Sequence, residues 1–196
     1  MTEPLDSPLR IDWIDRRDLA DGLAGRLGLT FMPGKHGAST RYPGRVYRRE
    51  LGADLDALAA AGIRSLLLLV DDDELGRWGD PAIVERGRER EVRIERRPLA
   101  DGTAPRTAAE MDAMLDWLTE ARRSGDVAVA CMGGVGRTGT VAACALVAAG
   151  VNAERAIAMV RAVRHPTAVE TAEQVAFVNA YERHVATLAD RDTVGA

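Results

Sequence analysis

Cysteine is scarce in this chain of 196 residues. The two present, Cys131 and Cys144, are too few for a disulfide framework, and no Cys/His cluster has zinc-site spacing. Long apolar runs are missing too. The longest, residues 66–70 and 141–151, fall well short of the ~20 residues a membrane helix needs. Residues 1–15 carry acids and prolines early and lack a basic start followed by an apolar stretch, so no signal peptide is expected. Positive charge is not in surplus: 26 basic against 30 acidic residues leave a net charge of -4. That balance argues against nucleic-acid and membrane partners while leaving room for a local basic pocket. There is no internal repeat and no low-complexity linker. The cytoplasm is the expected location.

What is present suits a single domain over residues 1–196, with 46% apolar and 29% charged residues and a length sufficient to bury a core without disulfides or metals. Residues 1–10 and 190–196 read as loose ends. Residues 11–15 and 27–32 read as short strands, the second closed by Pro33-Gly34; from there to Arg49 the chain, rich in Gly, Pro and basic residues, reads as loop. Residues 54–61 form a short helix ended by Gly62. Residues 64–70 are apolar, short and followed by an acidic turn, which indicates a buried strand. A helix over 81–90 and a strand over 92–95 follow. Residues 107–123 make an amphipathic helix with Met111, Met114, Leu115 and Leu118 on one face and Thr107 with Glu110 as a capping box. Residues 127–130 are a buried strand, and helices over 138–149, 153–164 and 171–188 complete the chain. Alternating strands and helices with a helical tail predict an α/β domain whose central, mostly parallel sheet is flanked by helices.

The informative segment is Cys131-Met132-Gly133-Gly134-Val135-Gly136-Arg137-Thr138-Gly139-Thr140, lying between a strand and a helix, where an α/β fold places a phosphate-binding turn. Its glycines let successive backbone N–H groups turn inward as an anion nest, and the following helix adds its positive end. Met132, Gly133, Gly134, Val135 and Gly136 are thus candidate phosphate-binding positions. A cysteine at the mouth of such a nest has a lowered pKa, which makes Cys131 a nucleophile. Arg137, six residues on, can grip two phosphate oxygens with its planar fork. The Thr138 hydroxyl is placed to stabilise the thiolate as leaving group.

Three other readings compete. Residues 134–139 match G-x-G-x-x-G literally, but that dinucleotide fingerprint wants a further strand after the helix, where this chain has another helix. A nucleotide-binding loop of the GxxxxGK[ST] kind needs a lysine that this segment lacks. A structural turn with an inert cysteine is the plain reading of a lone cysteine; three glycines and an arginine in this register count against it. Cys144, among Ala142, Ala143 and Leu146, reads as core packing, with a redox partnership to Cys131 as the alternative.

Residues 131–138 fit C-x5-R-[ST] and resemble the signature of the protein tyrosine phosphatase superfamily. Leu27-Gly28-Leu29-Thr30, Met32-Pro33-Gly34, Pro98-Leu99-Ala100-Asp101-Gly102 and Ala142-Ala143-Cys144 resemble its cyclin-dependent kinase-associated phosphatase group. The resemblance spans most of residues 27–180. It implies a dual-specificity phosphatase fold and hydrolysis of phosphomonoesters through a phosphocysteine, with no cofactor and no metal. A phosphorylated protein is the implied substrate, phosphotyrosine first and phosphoserine or phosphothreonine second. One residue departs: the family has His before the nucleophile, and this chain has Ala130. That histidine orders the loop and tunes the thiolate, so its absence implies a higher thiol pKa or a slower reaction. It also motivates the alternative of a phospho-binding pseudo-phosphatase module with little turnover.

A general acid is needed for the leaving oxygen. Asp101, thirty residues before Cys131 in a Gly/Pro-bounded loop, has the position the family gives it; an ordinary turn aspartate before Gly102 is the competing reading. Asp71, Asp72 and Asp73 are rivals that read as a solvated turn or helix start. By analogy with the superfamily Gln174 positions the hydrolytic water, although Thr171 and Gln174 also fit a capping box. Lys35, with His36 and Arg41, lies in the early loop where such enzymes contact substrate; a solvated loop is the alternative. Arg86, Arg88, Arg90, Arg93, Arg96 and Arg97 alternate with glutamates and read as a salt-laced surface.

Overall fold

The computed structural model describes residues 8–19, 22–39 and 43–194. Its centre is a five-stranded sheet of β1 (Asp12–Ile14), β2 (Leu27–Phe31), β5 (Ile63–Leu68), β6 (Arg93–Arg96) and β7 (Asp126–Cys131), in the order β1-β2-β7-β5-β6. β1 runs antiparallel to β2, and the other pairs are parallel. The two central strands are covered on both faces, and for that reason read as continuous apolar runs rather than alternating ones. Side-chain alternation still sorts them. Leu67, Val127, Val129 and Cys131 join one core with Leu27 and Leu29. Leu66, Leu68, Ala128 and Ala130 join the other.

Helices α5 (Ala108–Arg123), α6 (Gly136–Ala148), α7 (Ala153–Val163) and α8 (Ala172–Val194) contribute to the first core. α2 (Leu51–Ala60), α3 (Asp72–Trp78) and α4 (Ile83–Arg88) contribute to the second. α6 packs against β2, β7, α5, α7 and α8 and is buried nearly all round, so its N-terminus, next to Cys131, is fixed by the whole domain. Asp112 of α5 accepts from Tyr181 Oη at 2.6 Å and pairs with His184 Nε2 at 2.8 Å, joining α5 to α8.

The α/β architecture agrees with the sequence reading, and the local readings change in a few places. Residues 33–49 are not all loop: β3 (His36–Ala38) and β4 (Val46–Arg48) form a hairpin. Their sequence is polar and short, and the ladder depends on packing a sequence cannot show, with Tyr47 buried. A short helix, α1 (Arg16–Leu19), precedes β2. α2 begins at Leu51 rather than Asp54, because Asp54 is no cap; it is buried, accepting from Gly34 N at 2.8 Å and from Arg49. Thr107 caps α5, but Glu110 reaches back to Arg106 N instead of closing a box on Thr107. Of the ends read as loose, residues 1–7 and 195–196 lie outside the described residues; Leu9 is buried, the Arg10 carbonyl accepts from the Thr30 hydroxyl at 2.8 Å, and α8 continues to Val194.

The Arg49–Asp54 pair fixes the Pro33-Gly34 turn and the root of the hairpin, with both side chains under 10% exposed. Asp54→Ala removes the buried carboxylate that pairs with Arg49. The expected loss is about 3–5 kcal/mol in urea unfolding; an unchanged midpoint would show that the pair holds nothing in place.

Candidate active site

β7 ends at Cys131, whose carbonyl accepts from Met32 N at 2.8 Å, and residues 132–135 turn directly into α6. Two glycines are required by geometry. Gly134 has φ +66°, and a Cβ there would lie 2.2 Å from the Thr30 carbonyl oxygen. A Cβ on Gly136 would meet the Glu170 carboxylate at 2.5 Å. The turn therefore packs its backbone against β2 on one side and the start of α8 on the other.

The Cys131 thiol is 2% exposed. Burial pushes its pKa up; the charge of Arg137, the Thr138 hydroxyl and N–H, and the Val135 N–H together outweigh burial and bring it below the ordinary thiol value. Thr138 Oγ1 is fully buried without a hydrogen-bond partner, which leaves it available to steady the neighbouring thiolate whose pKa it lowers. Cys144 behaves oppositely: buried in α6, its thiol is pushed up by desolvation, consistent with core packing.

Arg137 is 1% exposed. Its fork is gripped at both ends by Glu74 (Nη1 to Oε2, and Nη2 to Oε1 at 2.7 Å). Nη1 also donates to the Leu99 carbonyl at 2.8 Å and Nη2 to Asp101 Oδ1 at 2.9 Å. Desolvation works against the guanidinium, and the Glu74 carboxylate, with Cys131 and Asp101, more than reverses it, so Arg137 stays charged. Nε is buried and unpartnered, a donor of the kind an equatorial phosphate oxygen satisfies.

Cys131, Arg137 and Asp101 share the walls of one cavity of about 720 Å³ with Met132, Gly133 and Val135. Asp101 sits at its rim, its side chain 81% exposed. A larger cavity of about 840 Å³ lies behind the loop carrying Asp101, against α5 and α8; Cys131 and Arg137 are absent from its walls, and it has no part in this chemistry.

Lys35 is buried rather than solvated. Its Nζ donates to the Met132 carbonyl at 3.2 Å, lies 4.0 Å over the Tyr47 ring and faces the cavity. His36 is exposed and bonds Gly34 O; Arg41 lies outside the described residues. Gln174 does not reach the cavity. It is fully buried, accepting from Glu170 N at 2.8 Å and Thr171 N and donating to the Thr103 carbonyl at 3.0 Å. The capping box claims this side chain, which ties α8 to the loop carrying Asp101. Asp71 caps α3 and Asp72 pairs with Arg96, so the acidic run is a helix start. The arginine-rich stretch is salt-laced, as in Arg90–Asp56 and Arg97–Glu95.

The sequence reading passed over Glu74. Its one signal was local, the Asp71-x-x-Glu74 box closing α3 just after β5. Nothing in the sequence says that β5 lies beside β7 and brings this carboxylate to Arg137.

A bowl of this construction suits displacement at phosphorus by a thiolate, the chemistry of cysteine-based phosphatases. The family model described as "Swiss Army Knife protein, DSP-PTPase phosphatase domain" matches residues 45–187, and the chain belongs to that family of dual-specificity and protein tyrosine phosphatase domains. It is a cysteine-dependent phosphatase. It is 25% identical over 197 residues to cyclin-dependent kinase inhibitor 3 of Homo sapiens, covering 97% of this chain and 89% of the relative. The crystal structure of kinase associated phosphatase, with serine in place of the catalytic-site cysteine, has a TM-score of 0.80 at 23% identity, covering 92% of this chain and 98% of that one. The active form of Tk-PTP has a TM-score of 0.65 at 30% identity, over 81% of this chain and 92% of that one.

Two outcomes are expected. Iodoacetate should modify Cys131 at a rate that rises with pH as the thiolate forms, with its midpoint below the ~8.5 of a free cysteine. A midpoint at or above that value would mean burial wins. Glu74→Gln, which frees the Arg137 fork, should lower kcat/KM by about 10–100-fold in protein shown by circular dichroism to be folded. Unchanged kcat/KM would show that Arg137 needs no such support.

Proposed function

We propose that the chain hydrolyses phosphate monoesters on phosphorylated proteins, phosphotyrosine first, through a phosphocysteine formed on Cys131. The observation that carries this is the convergence of the low-pKa Cys131 thiol, the Arg137 fork and the Asp101 carboxylate on one cavity. The thiolate attacks phosphorus in line and an S–P bond forms as the P–O bond to the leaving group breaks. Loop N–H groups and Arg137 stabilise the equatorial oxygens. Asp101 gives its proton to the leaving oxygen. Water then attacks the phosphocysteine and Asp101 takes its proton. The S–P bond breaks, releasing phosphate and restoring the thiolate, which the Thr138 hydroxyl supports as leaving group. Each step is completed by residues of this chain.

A substrate of this class is supported by the cavity walls. Phe31 and Tyr47 supply aromatic surface beside Lys35 and Arg45, suited to an aryl phosphate on a peptide that carries further negative charge. The turn itself holds no lysine, yet Lys35 reaches it from outside, which makes Lys35 a candidate substrate contact. Kinase associated phosphatase is named for its association with a kinase, which agrees with a phosphoprotein substrate. A thiolate nucleophile works reduced, so a cytoplasmic setting belongs to this proposal.

The test is hydrolysis of p-nitrophenyl phosphate, lost in Cys131→Ser and Arg137→Ala, followed by a phosphopeptide and phospholipid panel with Cys131→Ser as substrate trap. A silent wild type that binds phosphopeptides tightly would make it a recognition module instead. Asp101→Ala should slow alkyl phosphates, with their poor leaving groups, far more than aryl phosphates of low leaving-group pKa. Equal slowing would remove Asp101 from the role of acid.

A further inference from the structure

Arg164 stands outside the signature segment, in the C-cap position of α7, yet its side chain is only 5% exposed and points at the phosphate turn. Its Nε donates to the Gly134 carbonyl at 2.8 Å, Nη2 to the Gly133 carbonyl at 3.2 Å, and Nη1 to Asp12 Oδ2 at 2.6 Å. The three acceptors engage all three guanidinium nitrogens. Asp12 is itself in place through β1, which pairs with β2, and Arg10 Nε pairs with the same carboxylate at 2.9 Å.

The consequence follows from the planarity of the peptide bond. In a trans peptide the C=O of one residue and the N–H of the next point in opposite directions. Holding the Gly134 carbonyl against Arg164 therefore turns the Val135 N–H the other way. That N–H is among the groups that lower the Cys131 thiol pKa. Holding the Gly133 carbonyl does the same for the Gly134 N–H. A donor on the carbonyl also polarises the peptide, which strengthens the bond its N–H makes.

We infer that Arg164, fixed by Asp12, is a positioning residue for the reaction: through the Gly134–Val135 peptide it aims a donor at the nucleophile and keeps the turn's donors facing the phosphate. The inference rests on the reading of Cys131 as the nucleophile. It also supplies what Ala130 cannot. The residue before Cys131 is a methyl group buried in the core, so order in this turn comes from outside, across α7 and β1. The other charged groups around the sulfur, Arg137 with Glu74 and Asp101, come from α6, α3 and the loop after β6, and none of them contacts the Gly133 or Gly134 carbonyl.

The experiment follows iodoacetate alkylation of Cys131 against pH in wild type, Arg164→Ala, Arg164→Lys and Asp12→Asn, with Cys131→Ser as the blank for Cys144. It adds competition by inorganic phosphate and thermal unfolding of each protein. Arg164→Ala should raise the alkylation midpoint by about one pH unit, weaken protection by phosphate, and lower kcat on p-nitrophenyl phosphate by about 10–100-fold. Asp12→Asn should move the midpoint the same way by less. Arg164→Lys keeps the charge but cannot span both carbonyls and the carboxylate, so it should behave like the alanine variant. If lysine restores wild-type behaviour, the charge alone acts and the positioning role is wrong. A lowered unfolding temperature with an unmoved midpoint would reduce Arg164 to a prop of the fold. Should Arg164→Ala fail to fold, the lysine and Asp12→Asn proteins decide the matter. Alkylation needs no turnover, so a wild type that never hydrolyses phosphate would overturn the phosphatase reading while leaving this test intact.

Discussion

A guanidinium almost wholly removed from water is costly unless its charge is matched and its donors find acceptors, and the site depends on how Arg137 meets that demand at both Nη groups while its Nε is left without a partner. Glu74 supplies the charge from α3 and the Leu99 carbonyl takes a further donor from the loop that carries Asp101. The two elements are brought together because β5 lies between the central strand β7 and the edge strand β6, and these three strands run parallel, so that their ends fall on one side of the sheet. The same ion pair that makes burial tolerable thus sets the direction of the fork. The helix cap of α3 belongs to this arrangement, since one Glu74 carboxylate both closes the box with Asp71 and holds Arg137.

Around that pair the chain achieves order at the phosphate turn by indirect means. Gly134 can approach the Thr30 carbonyl only without a Cβ, and Gly136 is equally confined by Glu170. The carbonyls of the turn then need donors of their own, and those of Gly133 and Gly134 find them in Arg164. A small residue before the nucleophile is compatible with a stabilised thiolate because the stabilising groups, Arg137, Thr138 and Val135, lie after it.

Much of the fold was legible because it rests on local pattern. The apolar runs of β5 and β7, the amphipathic face of α5 and the Gly62 stop of α2 each reflect a few neighbouring residues. The β3–β4 hairpin was not legible, since its strands have three residues each and no alternation to read. α2 was placed three residues late at its start, since Glu50 at its N-cap makes no side-chain cap and leaves no local signal to read. Gln174 shows the same limit. Two roles fitted its spacing, and only the bonds to Glu170, Thr171 and Thr103 assign it to the helix start.

The sequence by itself marked Cys131, Arg137 and the nest between them, because these lie within one turn whose geometry is set by adjacent residues, while Asp101 was reached only through the family resemblance. It also placed that turn between a strand and a helix. Only the tertiary structure decided what holds these groups in place. Glu74, Arg164, Asp12 and Lys35 come from four other elements or connections, and their charges act across sheet neighbours that no spacing along the chain encodes. The physical reason is one of range. Backbone conformation at a turn is local, whereas the compensation of a buried charge depends on whichever residues the fold brings within hydrogen-bond distance.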